Sequence, residues 1–200
     1  MIKTNKKMIE KTNKKLIIVD STENVITKGT GAGGSNTNKN GLPYEELTEL
    51  KTEYEIISRE NYYDLIKFKS CDKKFKSTKQ SKLFKCMQEK INKSITKAHG
   101  CKNPDECFIS EENKIIFIIE KKFQQVGGSV CEKIQTSDFK KWQYERTFPF
   151  YKIIYIYCLS EWFKKNCKAE LEYLHYKKVP VFWGNDEKYK SKIIDYIINY

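Results

Sequence analysis

The most apolar run in the chain is Ile115-Ile116-Phe117-Ile118-Ile119, which ends on Glu120, Lys121 and Lys122. A β-branched and aromatic run of this length, entered from the polar turn Glu111-Glu112-Asn113, predicts a buried strand. Residues 107–109 before the turn predict its hairpin partner. Two later runs of the same kind, 152–158 and 179–183, predict further strands, and Pro180 places the second at a sheet edge. Elsewhere the period is helical. Tyr44, Leu47, Leu50, Tyr54 and Ile57 recur at three- and four-residue spacing and predict one apolar helix face, with Pro43 in its first turn. Leu83, Met87 and Ile91 mark a helix within 81–97, and residues 130–139, 162–176 and 188–198 predict three more. Gly127-Gly128 marks a turn before the first of these three, and Ser129 with Glu132 spells a capping box. A helix, a hairpin and then alternating strands and helices form an α/β pattern, a mixed central sheet flanked by helices.

Residues 28–41 read K-G-T-G-A-G-G-S-N-T-N-K-N-G and interrupt this pattern. Glycines at this density disfavour regular structure and predict a loop. A phosphate-binding loop would place Lys after Gly34, where Ser35 stands. A flexible linker fits, and so does a loop whose glycine amides and Asn36, Asn38 and Asn40 side chains meet nucleic acid. Residues 1–15 are rich in lysine and asparagine, and 16–19 form a short strand or an edge segment. The organisation expected is a basic N-terminal arm over 1–28 and a single domain over 29–200.

Charge adds a partner class. Of the 200 residues, 38 are Lys or Arg and 26 are Asp or Glu, giving a net charge of +12. Such a surplus favours a polyanion such as double-stranded DNA, because each cation on a phosphate releases counterions. A codon bias toward Lys, Asn, Ile and Tyr would raise the same count. Only Arg59 and Arg146 are arginines, which makes Arg146 a candidate for bidentate contact with guanine or phosphate, in competition with an ion pair to Glu145. The seven cysteines show no regular framework and predict free thiols in a reducing compartment. His99-x-Cys101 with Cys107 is a fragment of a zinc pattern without a CxxC pair. No signal peptide opens the sequence and no apolar run reaches membrane-spanning length, so a cytoplasmic protein without a membrane partner is expected.

The end of the central strand carries the candidate chemistry. Side chains two apart on a strand share a face, so Glu120 and Lys122 point one way and Lys121 the other. The hairpin can bring Asp105 beside Glu120. Two close carboxylates call for a compensating cation, and hard divalent ions such as Mg²⁺ take oxygen ligands and keep several waters. A lysine beside such an ion can orient or activate water, which together is the equipment for hydrolysing a phosphodiester. Gln124, two past Lys122, can stay on that face and reach a phosphate. The plain alternative is a hairpin ending in solvated charges.

Pro104-Asp105 followed by Glu120-x-Lys122 at the end of an apolar strand resembles the signature of the PD-(D/E)XK nuclease superfamily. The resemblance implies a restriction-endonuclease-like core, with Asp105 and Glu120 as metal ligands and Lys122 as the catalytic lysine. It implies a further metal-binding glutamate on the first core helix, for which Glu45, after an aromatic residue, is the choice over Glu46. It also implies that the helix after the motif lies against the site, with Lys133 and Gln135 as candidate DNA contacts. The function expected is a Mg²⁺-dependent DNA endonuclease, most like a type II restriction enzyme. Such an enzyme would act as a homodimer on a symmetric site, beside a separately encoded DNA methyltransferase. A structure-directed repair or recombination nuclease and a non-catalytic nucleic-acid-binding protein are the alternatives.

Overall fold

The structure, a computed structural model, describes residues 35–91, 95–127 and 130–200. The basic arm, the segment 16–19, the glycines up to Gly34 and the Ser129 cap lie outside the described residues. The helices are α1 (Ser35–Leu47), α2 (Lys82–Ile91), α3 (Val130–Gln135), α4 (Ser137–Thr147), α5 (Trp162–Asn166), α6 (Lys168–Tyr176) and α7 (Tyr189–Asn199). The strands are β1 (Tyr54–Arg59), β2 (Asp64–Phe68), β3 (Lys74–Thr78), β4 (Glu106–Ser110), β5 (Ile115–Lys122), β6 (Lys152–Leu159) and β7 (Val181–Trp183).

The seven strands form one mixed sheet in sequential order. β1 to β5 run as an antiparallel meander, and β6 and β7 then add in parallel. Parallel neighbours need crossovers, supplied by α3–α4 and by α5–α6. β7 is the edge strand that Pro180 foretold. The strict alternation of β5 builds two cores. Ile116 and Ile118 face a cluster with Leu83, Met87, Ile134, Tyr144, Phe148, Phe163 and Leu174, drawn from α2 to α6. Ile115, Phe117 and Ile119 face the other cluster, with Tyr44 of α1 and Tyr189, Ile193 and Ile197 of α7. Each fully buried aliphatic or aromatic side chain contributes about 1.5–3 kcal/mol of transfer energy, so the doubly covered β5 is the most firmly held element. No described helix is long and apolar enough to cross a membrane.

Several expectations need correction. Residues 35–41 are helical, so Asn36 and Asn38 sit on α1, not on a loop. Beyond Gly34 the segment holds one glycine, Gly41, whose cost of about 1 kcal/mol does not break a helix. Pro43 accordingly lies inside the helix and not at its start. The spacing from Tyr44 to Ile57 is not one helix: α1 ends at Leu47, a 3₁₀ turn covers Leu50–Glu53, and β1 begins at Tyr54. From there inward Tyr54, Ile56 and Ser58 alternate with exposed Glu55, Ile57 and Arg59, a period of two. β2 and β3 lacked a signal because lysines interrupt both short strands and their buried apolar residues number three, Ile66, Phe68 and Phe75. The helix expected over 130–139 is two, meeting at Thr136, and that over 162–176 breaks at Cys167. Cys131 and Cys167 are not free thiols but a disulfide, with Cα atoms 5.7 Å apart where α3 packs on α6. The spacing in sequence, 36 residues, gave no hint of that pairing.

Candidate active site

β4 and β5 pair with Glu106 opposite Ile119, so Asp105 stands one step beyond, beside Glu120. The Lys121 amide donates to Asp105 Oδ2 at 2.7 Å, which locks that carboxylate to β5. Lys122 Nζ lies 2.7 Å from Glu120 Oε1 and 4.0 Å from Asp105 Oδ2. The exit of β5 is fixed from β6: Ser160 N donates to the Lys122 carbonyl, and the buried Ser160 hydroxyl bonds to both main-chain groups of Gln124. Phe123 packs on Tyr44 at 5.2 Å between ring centres, which brings α1 to the same corner.

A second ammonium joins them. Lys140 Nζ, from α4, lies 3.3 Å from Glu120 Oε1. Sequence reasoning missed it because the expected helix stopped at Phe139. Its signal was present: Lys140, Tyr144 and Thr147 share the inward face of α4, where a lysine needs a partner.

The carboxylates answer differently to this setting. Burial pushes the Asp105 carboxyl up, and the Glu120 charge adds to that, outweighing Lys122 and the Lys121 amide. Glu45 is also raised, first by burial and next by the Asp105 charge, so its carboxylate belongs to the same field. Burial would raise Glu120 too, but the ammoniums of Lys122 and Lys140 hold it below the ordinary range. Lys122 is raised despite burial, because Glu120 and Asp105 keep it charged, whereas burial pushes Lys140 down. In this state Lys122 is a fixed cation and not a base.

Three carboxylates thus share one field with the two ammoniums, and within it Asp105 and Glu45 are the groups that resist ionising. That donor set fits a hard divalent cation, which would complete its shell with water and substrate oxygens. The three carboxylates do not close into a tight cage. Among the described residues the group of metal-type ligand atoms lying within 4.8 Å of one another is Cys131, Cys167 and Glu170, two of which are joined by the disulfide. His99 is exposed while Cys101 and Cys107 are buried, so the zinc fragment is not assembled.

The remaining candidates lie apart from the cluster or are otherwise engaged. Gln124 turns its side-chain amide back to the Val126 carbonyl at 2.6 Å. Lys133 is exposed on α3, and Gln135 donates to Glu170 at 3.1 Å. Arg146 stacks on Trp142, 5.6 Å from the ring centre, and Glu145 pairs instead with Lys141. No protein-family model, curated protein or solved structure matches the chain.

Proposed function

We propose that this chain is a Mg²⁺-dependent DNA endonuclease with a restriction-endonuclease-like core, most similar to the type II enzymes of the PD-(D/E)XK superfamily. The observation that carries the reading is the convergence of Asp105, Glu120 and Lys122 at the end of β5, with Lys122 Nζ bridging the two carboxylates at 2.7 and 4.0 Å. The order of elements supports it: a helix, an antiparallel hairpin bearing the motif, then a helical crossover to a parallel strand.

Asp105 and Glu120 would hold the ion, with Glu45 beside Asp105 as the third donor. When bound, a divalent ion supplies Lewis-acid stabilisation of the pentavalent phosphate and a more acidic water. Lys122, held charged, presents its ammonium to a phosphate oxygen or to the attacking water and so fixes the line of attack. Lys140 keeps Glu120 ionised and oriented. The net charge of +12 draws the duplex to the protein, and cutting both strands of a symmetric site is most simply done by a homodimer.

The test is digestion of a long unmethylated duplex with Mg²⁺. Discrete fragments with defined ends are the expected result, and a methyltransferase that blocks them would complete a restriction system. A smear, or cleavage confined to branched DNA, would move the chain to the repair and recombination class with the same active site. Binding without any cutting would leave a basic nucleic-acid-binding protein.

A further inference from the structure

A second and deeper pair of charges lies on the opposite face of the same strands, and the chemistry above does not use it. Lys121 and Glu106 point toward α1, with side chains 3% and 5% exposed and Nζ 3.0 Å from Oε2. Each also grips one main-chain group of the segment that ends α1. Lys121 Nζ donates to the Glu45 carbonyl at 3.1 Å, and Glu106 Oε1 accepts from the Leu50 amide at 3.1 Å.

Stability is a poor reason for such a pair. Desolvating two charges offsets most of their attraction, and apolar residues of similar volume commonly serve as well or better. What apolar contacts do not provide is direction: they tolerate a slide of one element on another, whereas a hydrogen bond to a chosen carbonyl does not. The two gripped groups flank the end of α1, and one belongs to Glu45, whose carboxylate feels the Asp105 charge. Lys121 completes the arrangement from its own main chain, since its amide holds Asp105.

We infer that the buried Lys121–Glu106 pair is a positioning device, which clamps the end of α1 through the Glu45 carbonyl and the Leu50 amide and so holds the Glu45 carboxylate at the ion-binding cluster. The inference rests on the proposed divalent-ion site and assigns a task to the residue between Glu120 and Lys122.

The experiment is a thermodynamic cycle on Mn²⁺ affinity, measured by calorimetry on the full chain without nucleic acid. The variants are Glu45→Ala, the paired swap Glu106→Gln/Lys121→Met, and the three changes together. The swap removes both charges at once and keeps an acceptor for Leu50. Glu45→Ala and the swap are each expected to weaken Mn²⁺ by about tenfold, the lower end for groups that orient metal ligands. Glu45→Ala should then cost nothing further in the swapped background. An unchanged affinity in the swap, or a Glu45→Ala penalty equal in both backgrounds, would make the pair merely structural and overturn the inference. A wild-type chain that takes up no Mn²⁺ would overturn the ion-site reading itself, and the inference with it. Glu106→Gln/Lys121→Gln, a neutral pair too short to reach the Glu45 carbonyl, carries the same cycle if the first swap does not fold.

Discussion

Asp105 and Glu120 are neighbours across one hairpin, yet their proton affinities move in opposite directions, and that separates their roles. The folded pKa of Glu120 lies below its unfolded value. Its stabilisation is therefore full above the ordinary glutamate range and is lost as the pH falls through the folded value. Asp105 and Glu45 lie above their ordinary values, so ionisation costs stability at neutral pH, and that cost is relieved as the pH falls through their folded values. Opposite effects on stability follow. Asp105→Asn should stabilise by about 0.5–1 kcal/mol, in line with other relieved functional sites. Glu120→Gln should destabilise by about 1.5–3 kcal/mol, because two ammoniums lose a charged acceptor. Thermal melts of the two variants check both signs, while each variant should lose DNA cleavage by about 100-fold or more. A divalent ion would compete with protons for Asp105 and Glu45, whose proton affinities are raised. Mn²⁺ affinity should therefore weaken on acidification while ordinary exposed carboxylates are still ionised; calorimetry across that range would show a flat profile if these groups were not ligands.

At the scale of elements, the position of α1 is the sensitive variable. Gly184, just after β7, lies directly under this helix: a Cβ there would overlap the Tyr44 hydroxyl and the Thr48 methyl. Gly184→Ala should push α1 outward, cost about 1–3 kcal/mol as overpacking does, and weaken ion binding as Glu45→Ala does. A variant that melts lower but binds Mn²⁺ normally would separate packing from positioning. On the other face the disulfide closes a loop of 36 residues between α3 and the start of α6. Reduction, or Cys131→Ala with Cys167→Ala, should cost about 2–4 kcal/mol, read as a lower melting temperature under reductant. The doubly buried β5 and its hairpin were legible in the sequence because apolar runs and turn residues are local signals. β1 to β3 were not: β1 falls inside a run of apolar residues at three- and four-residue spacing, and lysines interrupt the short strands β2 and β3. The disulfide joins residues 36 positions apart, a distance over which spacing carries no information, and Lys140, though on the inward face of α4, lies 20 positions from the Glu120 it meets.

For the whole molecule, the sequence conveyed the class, α/β with a mixed sheet between helices, and the three residues at the end of β5. It did not convey how the site is held. Glu106 and Lys121 read as one more acid and one more lysine until the sheet places them on the α1 face, and the Asn residues of the glycine-rich stretch read as a loop until α1 extends over them. The charge surplus belongs to this scale as well. If about six phosphates are neutralised, DNA affinity of a cleavage-dead variant should fall roughly 10³-fold between 50 and 200 mM salt. A salt-independent affinity would show that the lysines do not track the backbone. Metal-dependent cleavage is tested most directly by conversion of supercoiled plasmid by the purified chain in Mg²⁺ and in EDTA, beside Glu120→Gln. Linear or nicked product is expected with Mg²⁺ alone, none in EDTA, and none from the variant, which still binds the plasmid. Equal conversion by Glu120→Gln and the wild-type chain, or conversion that persists in EDTA, would contradict the proposed site.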